Sequence, residues 1–270
     1  CRTPAGFSQA GGFAPGARLG YDGIMAIHDF QSERLFVAAG LAPGQRFALT
    51  DEQVNYLINV LRLKAGARIL VFNGRDGEWL AELDAVKKRS ADLAIIAQSR
   101  PQTSGPDVEY VFAPLKRSRL DYLVQKATEL GVARLRPVMT RRTIAERVNI
   151  ERMRANVIEA AEQCGVLRVP AVEIPVSLEA LLDHWDGART LIFCDEGAPE
   201  HNPIAALSGI APGPVALLTG PEGGFDPAER DALLRKPYVK QLSLGPRIMR
   251  ADTAAVAALA LVNATLGDWR

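Results

Sequence analysis

Two loops combine glycines with charged side chains in a pattern that could do chemistry. The first loop, LTGPEGGF at 218–225, places one acid, Glu222, among glycines that allow close backbone approach and positive φ. The second, SLGPRIMRADTA at 243–254, places Arg247 and Arg250 in an otherwise small and apolar segment. A backbone pocket flanked by guanidinium groups suits an adenosyl ligand beside a polyanion. An ordinary strand-to-helix turn and solvated loop charges are the alternative interpretations, and spacing alone leaves both open.

The first loop leads into a helix-start pattern rather than a nucleotide-binding motif. Asp226, Pro227 and Glu229 fit a capping box with proline at the first helical position, which predicts a helix there. The glycines fit neither GxGxxG nor GxxxxGK[ST], the usual dinucleotide and phosphate-loop patterns. An oxidoreductase built on the turn at Gly220, a candidate of another class, therefore lacks the glycine pattern that it requires.

The cysteines, histidines and apolar runs argue against several other kinds of site. The cysteines and histidines lie far apart and include no CxxC pair: Cys1, Cys164, Cys194, His28, His184 and His201. We therefore expect no metal site and no disulfide framework, and a cytoplasmic protein in a reducing compartment. The apolar run at 254–262 is shorter than the roughly 20 residues that span a bilayer, so no membrane association is predicted.

The charge balance argues against binding driven by the field of the whole molecule. The chain has 32 Lys and Arg against 31 Asp and Glu, a formal net charge of +1, so a polyanion site must be local. Arginines cluster in residues 134–154, at Arg134, Arg136, Arg141, Arg142, Arg147, Arg152 and Arg154. The excess of arginine over lysine favours phosphate contact, and a solvated outer face of helices and loops is the alternative.

Composition and periodicity divide the chain into four parts. Residues 1–24 are glycine-rich and aperiodic, and are predicted to be a disordered extension or a remnant of protein expression. Residues 25–100 combine short strand patterns with one helix at 51–63, which predicts a small β-barrel domain. Residues 101–106 have the composition of a linker. Residues 107–270 alternate strands and helices, which predicts an α/β domain with a mostly parallel sheet.

Helices in this second domain are predicted at 117–130, at 149–164, at 178–185, after Asp226, and from Asp252 or Thr253. Both unusual loops follow predicted strands of the α/β domain. Ligands of open α/β sheets bind beyond the carboxyl ends of the strands. We therefore expect the two loops to meet at one site.

Taken together, the two loops resemble the signature of the SPOUT-class RNA methyltransferases and, more narrowly, of the RsmE family. Three further blocks, VLRLKAGARILVFNG, QKATELGV and EAAEQCGVLRVP, are similar to that family's blocks and follow its order. The likeness extends from Leu35 to the C-terminus. The family commonly carries a histidine shortly before the VLR block, whereas this chain has VNYLIN at 54–59, which weakens any RNA contact carried over to that position.

The resemblance implies a fold, a reaction and partners. The fold would be a PUA-like β-barrel that helps to hold RNA, followed by an α/β domain with a trefoil-knotted, mostly parallel sheet that binds S-adenosylmethionine and forms a homodimer. The reaction would be methylation of N3 of a uridine in 16S ribosomal RNA, numbered 1498, within the small ribosomal subunit. A SPOUT methyltransferase acting on another rRNA or tRNA site, and a non-catalytic RNA-binding or assembly factor, are the alternatives.

The resemblance also implies a set of site residues and no metal. The cofactor-binding residues would be Leu218, Thr219, Gly220, Gly223, Leu242, Leu244, Gly245, Ile248, Met249, Thr253 and Ala254. Glu222 is interpreted either as the acceptor of the uracil N3 proton or as a ligand of a cofactor hydroxyl. Arg250 is expected to stabilise negative charge on the uracil oxygens. The RNA contacts would be Lys116, Arg119, Arg141, Arg142 and Arg247.

Overall fold

The computed structural model describes residues 32–87, 90–145 and 147–269. The predicted extension at 1–24 lies outside the described residues. Two sheets are present, one on each side of residue 101. The last strand of the first sheet ends at Arg100 and the first strand of the second begins at Val108.

The N-terminal sheet is barrel-like, as the sequence predicts. Its strands are β1 Arg34–Phe36, β2 Arg46–Ala48, β3 Arg68–Phe72, β4 Glu78–Asp84 and β5 Asp92–Arg100. They lie in the order β1-β3-β4-β5-β2, with β1 parallel to β3 and the other pairs antiparallel. The buried side of the sheet carries branched aliphatic residues such as Ile69, Val71 and Leu93, which form the core of this domain.

The single helix predicted at 51–63 is shorter and irregular in the structure. The first helix, α1 Asp51–Val54, begins at a capping box between Thr50 and Gln53. It runs into a π-helical turn at Asn55–Val60 instead of continuing with a regular period. The wider turn keeps Leu57 fully buried while Val60 is 61% exposed. The spacing of apolar residues in the sequence predicts a regular α-helix and gives no sign of this wider turn.

The second sheet is parallel in every strand pair of the described chain. Its strands are β6 Val108–Phe112, β7 Arg134–Met139, β8 Ala171–Val172, β9 Val176–Ser177, β10 Thr190–Cys194, β11 Val215–Thr219 and β12 Val239–Leu242. They lie in the order β12-β10-β11-β6-β7-β8, and β9 also pairs with β7. All residues of β6 and β11 are buried because helices cover both faces of the sheet.

Six helices surround this sheet. They are α2 Arg117–Glu129, α3 Ile150–Cys164, α4 Leu178–Asp183, α5 Pro203–Ser208, α6 Pro227–Leu234 and α7 Ala251–Thr265. The side chain of Asn149 caps the first turn of α3, and Gly165, with a φ of 69°, ends it. The capping box predicted at Asp226 and Glu229 is confirmed at α6.

Three helices differ from the prediction. The last helix begins at Ala251, with Arg250 at its N-cap, rather than at Asp252 or Thr253. The helix α4 ends at Asp183, two residues before the predicted end. The helix α5 was not predicted, although Asn202 and Pro203 form a recognisable helix start.

The C-terminal part of the chain crosses back over itself. Strand β11 lies between β10 and β6, whereas β12 lies on the other side of β10, at the edge of the sheet. From that edge the chain returns, and α7 packs against α2 and β11. Leu259 and Val262 of α7 share one core cluster with Leu123 of α2. This return places the segment before α7 beside the loop that follows β11.

The two domains meet at the C-terminal end of α3. Glu78 of β4 accepts hydrogen bonds from Arg34 (2.7 Å) and Arg100 (2.6 Å), and all three side chains are largely buried. The same guanidinium groups donate to the carbonyl oxygens of Glu162 (2.8 Å) and Gly165 (3.1 Å). The arginines of the barrel thus satisfy carbonyl groups at the end of α3, where the helix dipole favours positive charge.

Candidate active site

A cleft of about 750 Å³ lies at the carboxyl ends of β10, β11 and β12. This volume falls within the usual range for small-molecule sites. The lining residues are Arg119, Arg142, Phe193, Cys194, Asp195, Glu196, Gly197, Thr219, Gly220, Pro221, Glu222, Gly223, Gly224, Phe225, Arg230, Leu242, Ser243, Leu244, Gly245, Arg247, Ile248, Met249, Arg250, Ala251 and Ala254. Both unusual loops of the sequence therefore meet at this cleft.

The glycines of the first loop have identifiable structural reasons. A Cβ on Gly220 would lie 2.6 Å from the ring of Phe225. A residue with a side chain at this position would therefore clash with the ring. Phe225 is held in turn by an edge-to-face contact with Phe193, with 5.1 Å between the ring centroids. Gly224 has a φ of 69°, and its N–H donates to the carbonyl of Pro221 at 2.9 Å. The loop is a tight turn that exposes backbone to the cleft.

The second loop joins β12 to α7 and presents its arginines to the cleft. Gly245 has a φ of 94°, a conformation that favours glycine at this bend. Arg250 is the N-cap of α7 and makes no side-chain capping bond. Within the described part of the chain, the guanidinium groups of Arg247 and Arg250 have no hydrogen-bond or ion-pair partner. Both are free to contact an anionic ligand.

A buried pair of hydroxyl groups lies beneath the first loop. The Tyr110 Oη and Thr219 Oγ1 atoms are 2.6 Å apart, on the neighbouring strands β6 and β11. Tyr110 is fully buried and stacks on Phe112, with 5.0 Å between the ring centroids. Thr219 is 3% exposed and is one of the residues that line the cleft. This pair fixes the position of the last residue of β11.

A carboxylate at the end of β10 joins three elements of the site. Asp195 accepts hydrogen bonds from Arg230 of α6 (2.9 Å), Gln241 of β12 (2.6 Å) and the N–H of Gly197 (3.1 Å). Burial raises the pKa of Asp195, but these hydrogen bonds outweigh it, so its pKa lies below the ordinary value. Asp195 is therefore ionised at neutral pH and holds the base of the cleft together.

The thiol of Cys194, which lies at the cleft, is not suited to nucleophilic chemistry. Burial, with a smaller effect of the neighbouring Asp195, raises the pKa of Cys194 to about 12. The thiolate is the reactive form of cysteine, and this thiol stays protonated at physiological pH. A covalent intermediate on Cys194 is therefore not expected.

The mouth of the cleft carries a group of paired arginines. Arg119 of α2 forms an ion pair with Glu222 of the first loop. Arg142 donates to the carbonyl of Gly223 at 2.9 Å, and Arg141 pairs with Asp226 at 3.0 Å. These contacts bring the turn after β7 and the start of α2 against the first loop, and they place positive charge around it.

The structure brings together most of the predicted site residues. Every predicted cofactor residue lines the cleft except Leu218 and Thr253. The side chain of Leu218 lies on the opposite face of β11, in a core cluster with Phe193. Thr253 is exposed on the first turn of α7. Of the predicted RNA contacts, Arg119, Arg142 and Arg247 line the cleft. Arg141 is not among the lining residues and pairs with Asp226 at the start of α6, and Lys116 is exposed at the N-cap of α2.

The arginine-rich stretch at 134–154 does not form one continuous cationic surface. Glu109 is buried in β6 and forms ion pairs with Arg134 (3.3 Å) and Arg136 (2.9 Å). Arg152 pairs with Asp121 at 2.6 Å, and Arg154 with Glu151 at 2.6 Å. These four arginines of the stretch thus each face a carboxylate, and phosphate binding by the stretch stays a prediction.

Sequence reasoning did not find the part of the site that follows β10. The residues Phe193, Cys194, Asp195, Glu196, Gly197 and Arg230 line the cleft and were not predicted to do so. A usable signal was the charged turn DEG directly after a buried strand, since ligands bind beyond strand ends in this class of sheet. Its partners lie on other elements, and the sequence does not show which strand lies beside which.

Metal ligation and membrane insertion were tested on the described residues. In the ranges given above, no group of three or more His, Cys, Asp or Glu side chains is arranged to hold a metal ion. None of the helices described is both long and apolar enough to cross a bilayer.

Comparisons with known proteins match both domains. Residues 102–263 match the family model described as an RNA methyltransferase domain, and residues 49–96 match an RNA methyltransferase PUA domain. The protein named ribosomal RNA small subunit methyltransferase E from Rickettsia conorii is 32% identical and aligns over 85% of this chain and 94% of its own length. The protein of that name from Synechocystis is also 32% identical, over 86% of this chain and 78% of its own length.

Two solved structures of methyltransferases are similar to this chain over most of its length. A ribosomal RNA small subunit methyltransferase E from Neisseria gonorrhoeae, bound to S-adenosyl methionine, is 28% identical with a TM-score of 0.79 and covers 88% of this chain and 100% of its own. A putative methyltransferase from Legionella pneumophila, in complex with the same cofactor, is 28% identical with a TM-score of 0.77 and covers 88% and 99%.

The fold, the cleft and these matches together define an RNA methyltransferase that carries a PUA domain. The predicted α/β domain with a mostly parallel sheet, and the PUA-like barrel before it, are confirmed. The trefoil knot stays a prediction. More specifically, the chain belongs to the ribosomal RNA small subunit methyltransferase E family.

Proposed function

We propose that this protein transfers a methyl group from S-adenosylmethionine to N3 of a uridine in 16S ribosomal RNA, the uridine numbered 1498. The observation that carries the proposal is the convergence of both unusual loops on one cleft. The relatives that match this chain over most of its length are named for methylation of small-subunit ribosomal RNA. We further propose that the protein works in the cytoplasm, on the small ribosomal subunit, as a homodimer formed through the knotted domain.

The residues of the cleft fit S-adenosylmethionine. The volume of about 750 Å³ is sufficient, and Gly220, Gly223 and Gly224 line the cleft without side chains, which allows close approach of a ligand to the backbone. Apolar groups suited to the adenine ring come from the second loop and its flanks, at Leu242, Leu244, Ile248 and Met249. When bound, the cofactor supplies an electrophilic methyl group on a positively charged sulfur.

Two charged side chains of the cleft would accept the proton of the substrate and stabilise its negative charge. The uracil N3–H must be lost, because the neutral imide nitrogen has no available lone pair for the methyl group. Glu222, at the edge of the cleft, is our candidate to accept this proton. The unpaired guanidinium of Arg250 would stabilise the negative charge that builds on the uracil oxygens.

The RNA backbone would be held by the cationic groups around the cleft. Arg119, Arg141 and Arg142 surround the first loop, and Arg247 lies on the second. Lys116 would add a further cation, at the N-cap of α2, the helix that carries Arg119. Guanidinium groups bind phosphate through paired hydrogen bonds, which fixes the position of the RNA without reading its sequence.

Two measurements test the proposal. Titration calorimetry of the full chain with S-adenosylmethionine should show binding, and absence of binding would refute the methyltransferase function. Incubation with unmethylated small subunits, followed by mass mapping of the RNA, should place one methyl group on N3 of the proposed uridine. A methyl group on another nucleotide, or on tRNA, would support a different SPOUT specificity. Cofactor binding with no methylation of any RNA would support a non-catalytic role.

A further inference from the structure

The buried hydroxyl groups of Tyr110 and Thr219 have two protons to donate but form one hydrogen bond between them. Tyr110 and Thr219 each carry one hydroxyl proton, and one hydrogen bond of 2.6 Å joins their oxygens. Within the described part of the chain, neither hydroxyl has another hydrogen-bond partner, and each is at most 3% exposed as a residue. One of the two protons is therefore not used inside the protein.

The surroundings decide which proton this is. The phenol of Tyr110 is enclosed by core residues such as Phe112 and Leu217, so Thr219 Oγ1 is the acceptor within its reach. Buried hydroxyl groups almost always have partners, and an unpaired buried donor costs the full desolvation of that group. The phenol therefore donates to Thr219, and the proton of Thr219 is left over.

The hydroxyl proton of Thr219 is available for a hydrogen bond to a group in the cleft. Thr219 is the last residue of β11 and is one of the residues that line the cleft, together with Gly220 and Ala254. Burial raises the pKa of Tyr110 well above its ordinary value, so the phenol remains a donor throughout the physiological range. The orientation of the Thr219 hydroxyl is consequently fixed by a group that itself never reaches the cleft.

We infer that Thr219 donates a hydrogen bond to an acceptor atom of the bound cofactor, and that Tyr110 is the positioning residue that points this donor into the cleft. The acceptor is a ring nitrogen or an oxygen of S-adenosylmethionine, so the inference rests on the function proposed above. Part of the affinity for the cofactor then comes from a side chain in β6, a strand that does not line the cleft.

Substitutions of matched shape test this inference. Thr219→Val keeps the shape of the side chain and removes the hydroxyl, and we expect the Kd for S-adenosylmethionine to rise by about 3- to 10-fold. Tyr110→Phe removes only the phenolic oxygen and frees the Thr219 hydroxyl to rotate, so we expect a smaller rise. Thr219→Ser should restore wild-type affinity. The double variant should bind no more weakly than Thr219→Val alone, because both changes remove one hydrogen bond.

The control is Tyr238→Phe, whose hydroxyl donates to the carbonyl of Leu182 at 3.3 Å, remote from the cleft. Its Kd should equal that of the wild type. Calorimetry on the full chain supplies each Kd, and thermal unfolding without cofactor confirms that each variant is folded. An unchanged Kd for folded Thr219→Val, or additive effects in the double variant, would overturn the inference. Failure of the wild-type chain to bind the cofactor would instead refute the proposed function.

Discussion

Two arginines at the cleft differ in what surrounds their guanidinium groups. Arg119 is paired with Glu222, so its charge is already shared with a carboxylate of the site. Arg250 has no such partner within the described residues and extends from the N-cap of α7 into the cleft. An unpaired guanidinium is available to negative charge that develops during a reaction. Substitution of Arg119 and substitution of Arg250 should therefore affect the enzyme in different ways.

Replacing Arg250 with alanine should slow methylation by about 10²- to 10³-fold in kcat, the usual cost of one electrostatic stabiliser. The Kd for S-adenosylmethionine should change little, since the proposed partner of Arg250 is the uracil. Steady-state transfer of labelled methyl groups to small subunits measures the first quantity, and calorimetry the second. Arg235→Ala, at the exposed C-cap of α6, is the control and should behave as the wild type. A normal kcat for Arg250→Ala would exclude its assigned role.

The two interpretations of Glu222 predict different results for Glu222→Gln. If the carboxylate accepts the N3 proton, as we propose, kcat should fall by about 10²- to 10⁴-fold while the Kd for the cofactor stays constant. If it binds a cofactor hydroxyl instead, the Kd should rise and kcat should fall little. The same pair of measurements separates these outcomes, and a raised Kd with a normal kcat would contradict our assignment.

At this scale the sequence supplied the residue types but not the pairings. Glu222, Arg247 and Arg250 were identified from two short segments, because glycines and arginines in apolar surroundings are unusual. The partners of Asp195 could not be identified in this way. They lie on α6 and β12, and a hydrogen bond between distant segments depends on the strand order.

The elements of the site are set by local signals at their ends. The capping box at Asp226 and Glu229 predicted the start of α6, since a side-chain oxygen at the N-cap satisfies free N–H groups of the first turn. Asn149 caps α3 in the same way in the structure. The start of α7 could not be predicted in this way, because Arg250 makes no capping bond there. The π-helical turn at Asn55–Val60, in which Leu57 is fully buried, also has no capping signal in the sequence, because its N-cap residue Val54 makes no side-chain capping bond.

Gly220→Ala should damage the first loop as an element. The added Cβ would lie 2.6 Å from the ring of Phe225, which cannot move freely because it packs against Phe193. We expect a loss of about 1–3 kcal/mol in the free energy of unfolding, as for other overpacked sites, and weaker cofactor binding. Denaturant unfolding and calorimetry measure these effects. Gly187→Ala, with open space around its Cβ, should change neither, and equal behaviour of the two variants would contradict the steric explanation.

Asp195 makes the stability of the cleft depend on pH. Because its pKa is lower in the folded than in the unfolded protein, its contribution is complete above the unfolded pKa of about 3.9 and is lost as the pH falls through the folded pKa. We expect Asp195→Asn to unfold more easily than the wild type by about 1–3 kcal/mol at pH 7. This difference should shrink in acid.

Denaturant unfolding from about pH 7 down to about pH 3 checks the prediction for Asp195, across the range in which aspartate titrates. The control is Asp268→Asn, an exposed aspartate near the C-terminus, which should lose little stability at either pH. A difference between wild type and Asp195→Asn that stays constant down to the lowest pH would show that the carboxylate charge is not responsible.

At the scale of the whole molecule, the junction between barrel and catalytic domain is ionic rather than only apolar. Arg34 and Arg100 share Glu78 and also bind the end of α3. Burial raises the pKa of Glu78, but the two arginines outweigh it and hold the pKa below its ordinary value. The barrel is thus fixed to the same helix whose other end follows the turn that carries Arg141 and Arg142.

Glu78→Gln should weaken this junction. It leaves two largely buried guanidinium groups without their carboxylate, and breaking a buried pair in this way costs about 3–5 kcal/mol. We expect calorimetric unfolding to shift to lower temperature and to separate into two transitions, one for each domain. Glu82→Gln is a matched control on the same strand, because its ion pair with Arg68 is exposed, and it should cost at most about 1 kcal/mol. One unshifted transition for Glu78→Gln would contradict this role.

The return of the chain from β12 to α7 has a consequence for synthesis of the protein. The cleft needs Ala254 and the loop before it, and α7 is fixed in place by packing on α2, the first helix of the same domain. A nascent chain therefore carries the barrel and most of the sheet long before it has a cofactor site. The residues that complete the pocket follow all strands of the sheet along the chain, so a product terminated before α7 should be inert rather than partly active.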